Sequence, residues 1–275
     1  MLELPEVKTM AEQLQQHVAG SRVTKVLPPT KPHKFCWFQG DPASYDQALA
    51  GRAIVAAEGF GIYVELMFDN GSRLCFNDGV HARLVEGQEI PKQYQLLLEL
   101  EGGRALAFTV AMYGGILLHQ GDLVDEYYQK SRGAVPITSS AFRSYFQELL
   151  AKSKPSLSMK ALLATGQRIP GLGNGVLQDV LFAAGLHPKR KCGSLSAREA
   201  DRLLEEIPRV LEEMMRGGGR NTEKDLFNRP GGYEVKMGKA ALASGCPTCG
   251  GPVTKETYLG GAVYFCPACQ PLEKG

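Results

Sequence analysis

Four cysteines near the end of the sequence read Cys246-x2-Cys249, then sixteen residues, then Cys266-x2-Cys269, and no other feature limits the fold so sharply. Each C-x2-C pair, one holding Pro247 and the other Pro267, fits a tight turn that brings two thiolates onto one side of an ion. Two facing turns make the closed S4 tetrahedron that zinc takes at structural sites. Between them, Gly250-Gly251-Pro252 opens and Val263-Tyr264-Phe265 closes a segment that suits a β-hairpin. The spacing therefore predicts a C4 zinc ribbon over 241–275 with one structural Zn2+ per chain. Two disulfides or four unrelated thiols are the other readings of the same spacing. Four protein ligands leave no position for a reactive water, so this metal would hold structure rather than do chemistry.

At 275 residues and 44% hydrophobic, the chain is long enough for two ordinary domains with real cores. It contains no run of eighteen apolar residues and no basic-then-apolar leader, so the expectation is a soluble monomer, cytoplasmic or nucleoid-associated, not secreted, with no membrane partner. Cys36, Cys75 and Cys192 have no motif spacing and read as buried thiols of a reducing compartment. The net charge of +2 conceals an asymmetry: residues 1–150 carry 13 Lys and Arg against 17 Asp and Glu, and 151–275 carry 18 against 12. The second part is thus the better candidate to meet a polyanion. Its stretch 198–216, rich in both signs, reads as a solvated helix face.

Residues 5–19 predict an opening helix: Pro5 suits a first helical position, Val7, Met10, Ala11, Leu14 and Val18 form an apolar stripe, and Gly20 can end it. From about Arg22 to Gln120 short apolar runs such as 54–57, 62–68, 96–100 and 116–119 alternate with Asp69-Asn70-Gly71 and Glu101-Gly102-Gly103 turn signals, which predicts an antiparallel β-sandwich or barrel. After Gly133 the period becomes helical over 139–151, 156–164, 175–184 and 196–216. The fold class is α+β. The expected divisions are an N-terminal helix plus β domain over 1–132, a helical domain over 133–240 and the ribbon over 241–275, with a hinge near 128–138.

Within the helical part, Met159 to Leu163 leads through Gly166 to Ile169-Pro170-Gly171-Leu172-Gly173-Asn174 and into a second helix. The two glycines permit a close backbone approach, Asn174 stands at an expected N-cap, and a helix start offers free amides to a phosphate. Lys160 supplies a matching charge. An ordinary helical hairpin would also use glycine in its turn.

Taken together, the start Met1-Leu2-Glu3-Leu4-Pro5-Glu6-Val7, the segment Lys160 to Pro188 with its Gly-Leu-Gly-Asn turn, and the terminal C4 pattern resemble the formamidopyrimidine-DNA glycosylase and endonuclease VIII family. The resemblance spans essentially the whole chain. It implies an N-terminal helix on a β-sandwich, a helix-two-turn-helix domain with a zinc ribbon, and duplex DNA carrying a lesion or an abasic site as partner. It also implies Lys160, Gly173 and Asn174 as DNA-binding residues, and excision of a flipped damaged base. Glu3 and Glu6 are the catalytic candidates it implies, the first as acid or base at the sugar. Two carboxylates at a helix start also stabilise its positive end without any catalytic duty.

This chain departs from the family's pattern at four places. Members begin Met-Pro-Glu-Leu-Pro-Glu, lose the methionine and use the proline amine as nucleophile, whereas here the residue is Leu2, which should block methionine removal. The hairpin lysine of the family aligns with Ile62. The loops that fill the void of a flipped base read Gly79-Val80-His81 and Val110-Ala111-Met112-Tyr113-Gly114, and the arginine of the zinc hairpin is replaced by Gly261. The expected activity is N-glycosidic hydrolysis with weak or no lyase step. The alternatives are a non-catalytic binder of damaged, abasic or kinked DNA, or a scaffold turned to RNA or a protein partner. The loop around Gly217 to Tyr233 is expected to close over an extruded nucleotide, though it equally suits a long surface connection.

Overall fold

The computed structural model describes residues 1–272, so the last three residues of the expected ribbon span lie outside it. The chain forms two compact units, one of Met1–Arg132 with Gly218–Gly232, the other of Gly133–Gly217 with Tyr233–Gly275. The segment 218–232 therefore belongs with the first unit although it lies, in sequence, among the helices of the second.

The first unit opens with α1 (Leu4–His17), whose Val7, Met10, Ala11 and Leu14 are buried in the stripe that periodicity requires. It continues through β1 (Val23–Leu27), β2 (Cys36–Phe38), α2 (Tyr45–Leu49), β3 (Ile54–Phe60), β4 (Tyr63–Phe68), β5 (Ser72–Asn77), β6 (Val80–Glu86), β7 (Leu96–Leu100), β8 (Arg104–Val110), β9 (Gly114–Gln120) and α3 (Glu126–Arg132). The strands make two sheets, β1-β7-β8-β6 and β2-β9-β5-β4-β3. Leu96, Leu98 and Phe108 from one, Val64, Leu74 and Phe76 from the other, and the α1 stripe share one core, so the sandwich is the realised form of the β expectation. Within these two sheets all pairings are antiparallel but one: β2 runs parallel to β9, with Trp37 opposite Gly115. Gly59 of β3 lies against α1, where an added Cβ would meet the Val7 carbonyl at 2.6 Å, so a side chain there would push helix and sheet apart.

A second, smaller cluster on the outer face of the larger sheet holds Ile62 with Phe60, Tyr63, Cys75, Leu123 and Tyr128. Below it the Glu65 carboxylate receives the Tyr128 hydroxyl at 2.6 Å, Arg73 at 2.6 Å and Arg132 at 3.1 Å. Burial alone would raise its pKa, but His119 at 3.5 Å, the hydrogen bonds from Tyr128 and Arg73 and the charge of Arg132 outweigh it and hold Glu65 at about 2. This charged knot joins α3 to the sheet.

The second unit contains α4 (Ala141–Lys152), α5 (Met159–Ala164), α6 (Val176–Ala184), α7 (Ala197–Arg216), α8 (Ala241–Ser244) and the hairpin β10 (Thr254–Tyr258) with β11 (Gly261–Phe265). Ser158 caps α5 by accepting from Ala161 N, and Ser196 with Glu199 forms a capping box on α7. The buried Asp179 carboxylate of α6 accepts from Tyr233 Oη at 2.9 Å, Lys236 N at 2.9 Å and Met237 N at 2.7 Å, which fixes the chain as it re-enters this unit. Among the described residues no helix is long and apolar enough to cross a membrane.

Candidate active site and metal centre

Three buried charges meet at the start of α1. Glu3 is its N-cap and Glu6 the N3 residue, whose Oε2 accepts from Glu3 N at 3.3 Å. Arg220 grips Glu6 with both edges of its guanidinium, Nε to Oε1 at 2.9 Å and Nη2 to Oε2 at 2.8 Å, and its backbone N–H adds a third bond to Oε1 at 3.0 Å. Its Nη1 lies 3.6 Å from Glu3 Oε1. All three side chains are at least 95% buried. Burial would lower the Arg220 pKa, yet the charge of Glu3 and the hydrogen bond and charge of Glu6 raise it, so the guanidinium stays charged.

Beside this triad is a cavity of about 250 Å3 lined by Leu2, Glu6, Asp78, His81, Met112 and Glu223, among others. Glu6 reaches it; Glu3 is not among its lining residues. Leu2 N donates to Asp78 O at 2.7 Å, and the Leu2 side chain is buried in the main core. That amide has no lone pair for attack, so the position of the family's amine is occupied by a hydrogen-bonded peptide group. The Met1 ammonium pairs with Glu223 at 2.6 Å. Ile62 is buried in the apolar cluster already described and supplies no ammonium. Burial raises the Asp78 pKa despite the nearby terminal ammonium, and burial lowers that of His81 despite its contact with the Lys224 carbonyl. The two loops expected to fill the space of a flipped base are tied together by Gly79 N donating to Tyr113 O at 3.0 Å. Val80 is buried, and Met112, 63% exposed, projects from them.

The segment 218–232 is pinned along its length. Leu226 is fully buried in the main core, Leu226 N donates to Gln13 Oε1 at 2.9 Å, Leu84 N donates to Leu226 O at 3.0 Å, and Asp225 accepts from Gln13, Phe227 N and Arg229 N. The segment is thus tied to the sandwich unit by an apolar anchor and paired backbone groups, and its Thr222, Glu223 and Lys224 line the cavity. Its Gly-rich start is plain in the sequence, but nothing there indicates that Arg220 finds two carboxylates more than two hundred residues earlier.

In the second unit, Lys160 and Asn174 both address the hairpin. Lys160 Nζ donates to the carbonyls of Tyr258 and Gly261, and only 3% of the residue is exposed. Burial lowers its pKa. Asn174 Nδ2 donates to Ala262 O at 2.9 Å, and Gln178 Nε2 to the same carbonyl at 3.0 Å. Asn174 is not the N-cap, which is Gly175, because its side chain is turned to the hairpin instead. Gly173 lies in the same turn, its carbonyl accepting from Leu177 N at 3.2 Å. Gly261, where the family has an arginine, lies close to both: an added Cβ would stand 3.2 Å from Lys160 Nζ and Asn174 Oδ1, so a side chain there would require these two to shift by a few tenths of an ångström.

The thiols of Cys246, Cys249, Cys266 and Cys269 lie within 4.8 Å of one another, with Sγ–Sγ distances of 3.8 Å between Cys246 and Cys269 and 3.5 Å between Cys249 and Cys266. A tetrahedron with Zn–S bonds of about 2.3 Å has S–S edges of about 3.8 Å, and the two distances above lie close to that, so the donor set fits a metal ion. The knuckles are prepared by backbone bonds, Gly250 N to Cys246 O and Cys246 N to Gly251 O, both 2.8 Å. Gln270 accepts from Cys266 N at 3.0 Å and donates to Leu186 O at 2.8 Å, tying the second knuckle to the end of α6.

Comparison with known proteins agrees with this architecture. Residues 1–120 match the formamidopyrimidine-DNA glycosylase N-terminal domain and 133–225 the formamidopyrimidine-DNA glycosylase H2TH domain. The formamidopyrimidine-DNA glycosylase of Halorhodospira halophila is 30% identical over 98% of this chain and 100% of that protein, and that of Thermus thermophilus is 30% identical over 98% of each. Among solved structures, the Thermus thermophilus MutM (Fpg) protein superposes with a TM-score of 0.80 at 26% identity, covering 99% of this chain and 100% of that one. Lactococcus lactis Fpg, in complex with DNA containing an abasic site, gives 0.84 at 21% identity over 98% and 100%, a likeness of fold. With both domains matched in order and full-length relatives at this identity, the chain belongs to the formamidopyrimidine-DNA glycosylase family.

Proposed function

We propose that this protein is a DNA N-glycosylase that acts on a duplex with a damaged base and releases the base with water rather than with an amine. Family membership supports the substrate class. The observation that carries the choice of water is the Leu2 peptide N–H engaged with Asp78 O, together with an apolar Ile62 where a lysine would stand. In this reading, which takes the role of Glu3 from the family although Glu6 is the one of the two carboxylates that lines the cavity, Glu3 removes a proton from the attacking water as it adds to C1′ of the sugar, and the departing base leaves with the electron pair of the glycosidic bond. Arg220 pairs with both carboxylates, and Glu6 holds the start of α1 in place. Lys160, Gly173 and Asn174 shape the turn that faces the phosphates, with the first and last also bracing the hairpin, and Zn2+ at the four cysteines holds that hairpin folded.

One observation favours a second reading, a non-catalytic binder of abasic or kinked DNA: Arg220 and the two carboxylates already satisfy one another away from solvent. Oligonucleotide duplexes bearing oxidised bases or an abasic site separate the readings when binding, base release and strand scission are scored independently. The expected result is base release without scission and without borohydride trapping, abolished by Glu3→Gln with binding retained. Efficient trapping would refute the water mechanism. Tight abasic-site binding with no release from any lesion would establish the binder instead.

A further inference from the structure

The edge of the larger sheet carries an aromatic surface of which the glycosylase reading uses only the loop that holds Tyr113. Side chains alternate along β2, so Cys36 and Phe38 pack against the core while Phe35 and Trp37 point away from it, 47% and 53% exposed. On the adjoining strand the residue paired with Trp37 is Gly115, which puts no side chain across the indole. A third ring, Tyr113, lies 6.5 Å from Trp37 and is tilted by 57°, so neither ring covers the face of the other. Single exposed aromatics are ordinary, but several contiguous ones mark a contact surface.

Charge indicates what that surface meets. The segment from Ser21 to Gln39 contains Arg22, Lys25, Lys31 and Lys34 and no Asp or Glu, although it lies in the acidic part of the chain. Lys34 Nζ sits 5.3 Å from the centre of the Phe35 ring, so a cation and a ring face are presented together. Basic side chains interleaved with open rings suit a single strand, whose bases stack on the rings while its phosphates meet the lysines. An added protein strand is disfavoured, because Pro32 and the lysines beside a three-residue edge discourage β-pairing. Tyr113 also links the surface to the cavity: its hydroxyl lies 3.5 Å from Met1 Sδ, and Met1 and Met112 line that cavity.

We propose that Phe35, Trp37 and Tyr113 form a stacking platform for unpaired nucleotides, with Lys31 and Lys34 meeting their phosphates. The choice of ligand rests on the nucleic-acid reading above, whereas the platform itself requires no catalysis. Trp37 is the only tryptophan of the chain, so its emission reports on this surface alone. Titrating the full-length protein with single-stranded oligo-dT, following emission and anisotropy, should give saturable quenching that weakens steeply with salt. Trp37→Ala should bind the strand about tenfold more weakly and Trp37→Phe should retain most of the affinity, while Tyr127→Ala, an exposed aromatic on α3, should match the unsubstituted protein. Equal thermal midpoints for these variants would show that folding is unaffected. A strand that binds without changing Trp37 emission, or with equal affinity for Trp37→Ala, overturns the platform. So does sedimentation showing self-association that buries Trp37. An abasic duplex titrated in parallel separates the two readings: duplex binding without any single-strand binding removes the platform alone, and loss of both removes the nucleic-acid reading with it.

Discussion

A guanidinium buried between two carboxylates is stable only while all three charges remain, because deleting one leaves the others desolvated and unpaired. Arg220 makes three hydrogen bonds to Glu6 and lies beside Glu3, so Arg220→Met should destabilise the protein by about 3–5 kcal/mol. The backbone bond to Glu6 would survive the substitution. The doubly substituted Glu6→Gln with Arg220→Met should recover part of the loss, since one unpaired charge is removed. Urea unfolding midpoints of the two variants provide the check, and a single variant within about 0.5 kcal/mol of the unsubstituted protein would show that the triad is not a charge cluster. Glu3 and Glu6 were expected from the resemblance, the helix start with Pro5 being the competing account of the same carboxylates, and Leu2 was legible as a departure. Arg220 was not, since a lone arginine after three glycines carries no signal of its partners, and its role depends wholly on where the loop folds back.

Periodicity identifies elements that bury a regular face. It located α1, β3, β4, β7, β9 and the helices from α4 to α7 to within a few residues, because each carries a stripe or an alternation long enough to recognise. It missed β2, where only three residues pair and the partner is parallel. For the stretch from Gly217 to Tyr233 it left open a loop in the cleft or a long surface connection, because a single Leu226 in a segment rich in glycine and charge has no period. The structure makes Leu226 an anchor of the main core, fully buried and bonded through N and O to Gln13 and β6. Leu226→Ala should therefore cost about 2–5 kcal/mol, the range for a leucine removed from a packed core rather than from a surface connection. Hydrogen exchange is a second check: the amides of Leu84 and Leu226 should exchange slowly in the unsubstituted protein and faster in the variant. A cost below about 0.5 kcal/mol with rapid exchange at Leu226 would show that Leu226 does not anchor this segment.

At the scale of the molecule, the sandwich unit draws on one large core, while the ribbon, one part of the second unit, buries a smaller set that includes Val253, Val263 and Phe265. Met237, Ala241, Val253, Cys246 and Cys266 form a small cluster with Phe182 and Tyr264 packed against it, and a metal at the four cysteines would add to the stability of the hairpin. The four cysteines declared this in the sequence, because ligand spacing is local and survives without knowledge of the rest of the fold. The dependence of other residues on the hairpin was not legible, since Lys160 meets the carbonyls of Tyr258 and Gly261 across about a hundred residues. Elemental analysis of protein prepared without chelator should find about one zinc per chain. Removing it should raise exchange throughout 246–269 while the amides of β3 and β4 in the sandwich unit stay protected. Because the hairpin carbonyls hold Lys160 out of water and burial lowers its pKa, loosening the hairpin should also expose this amine to acylation by a lysine reagent. Labelling followed by peptide mapping should show Lys160 protected in the zinc-loaded protein and modified after chelation, with Lys8, hydrogen-bonded to Gly59 O in the sandwich unit, changing little. Unchanged protection of Lys160 after complete zinc loss would show that α5 and α6 hold the hairpin by themselves.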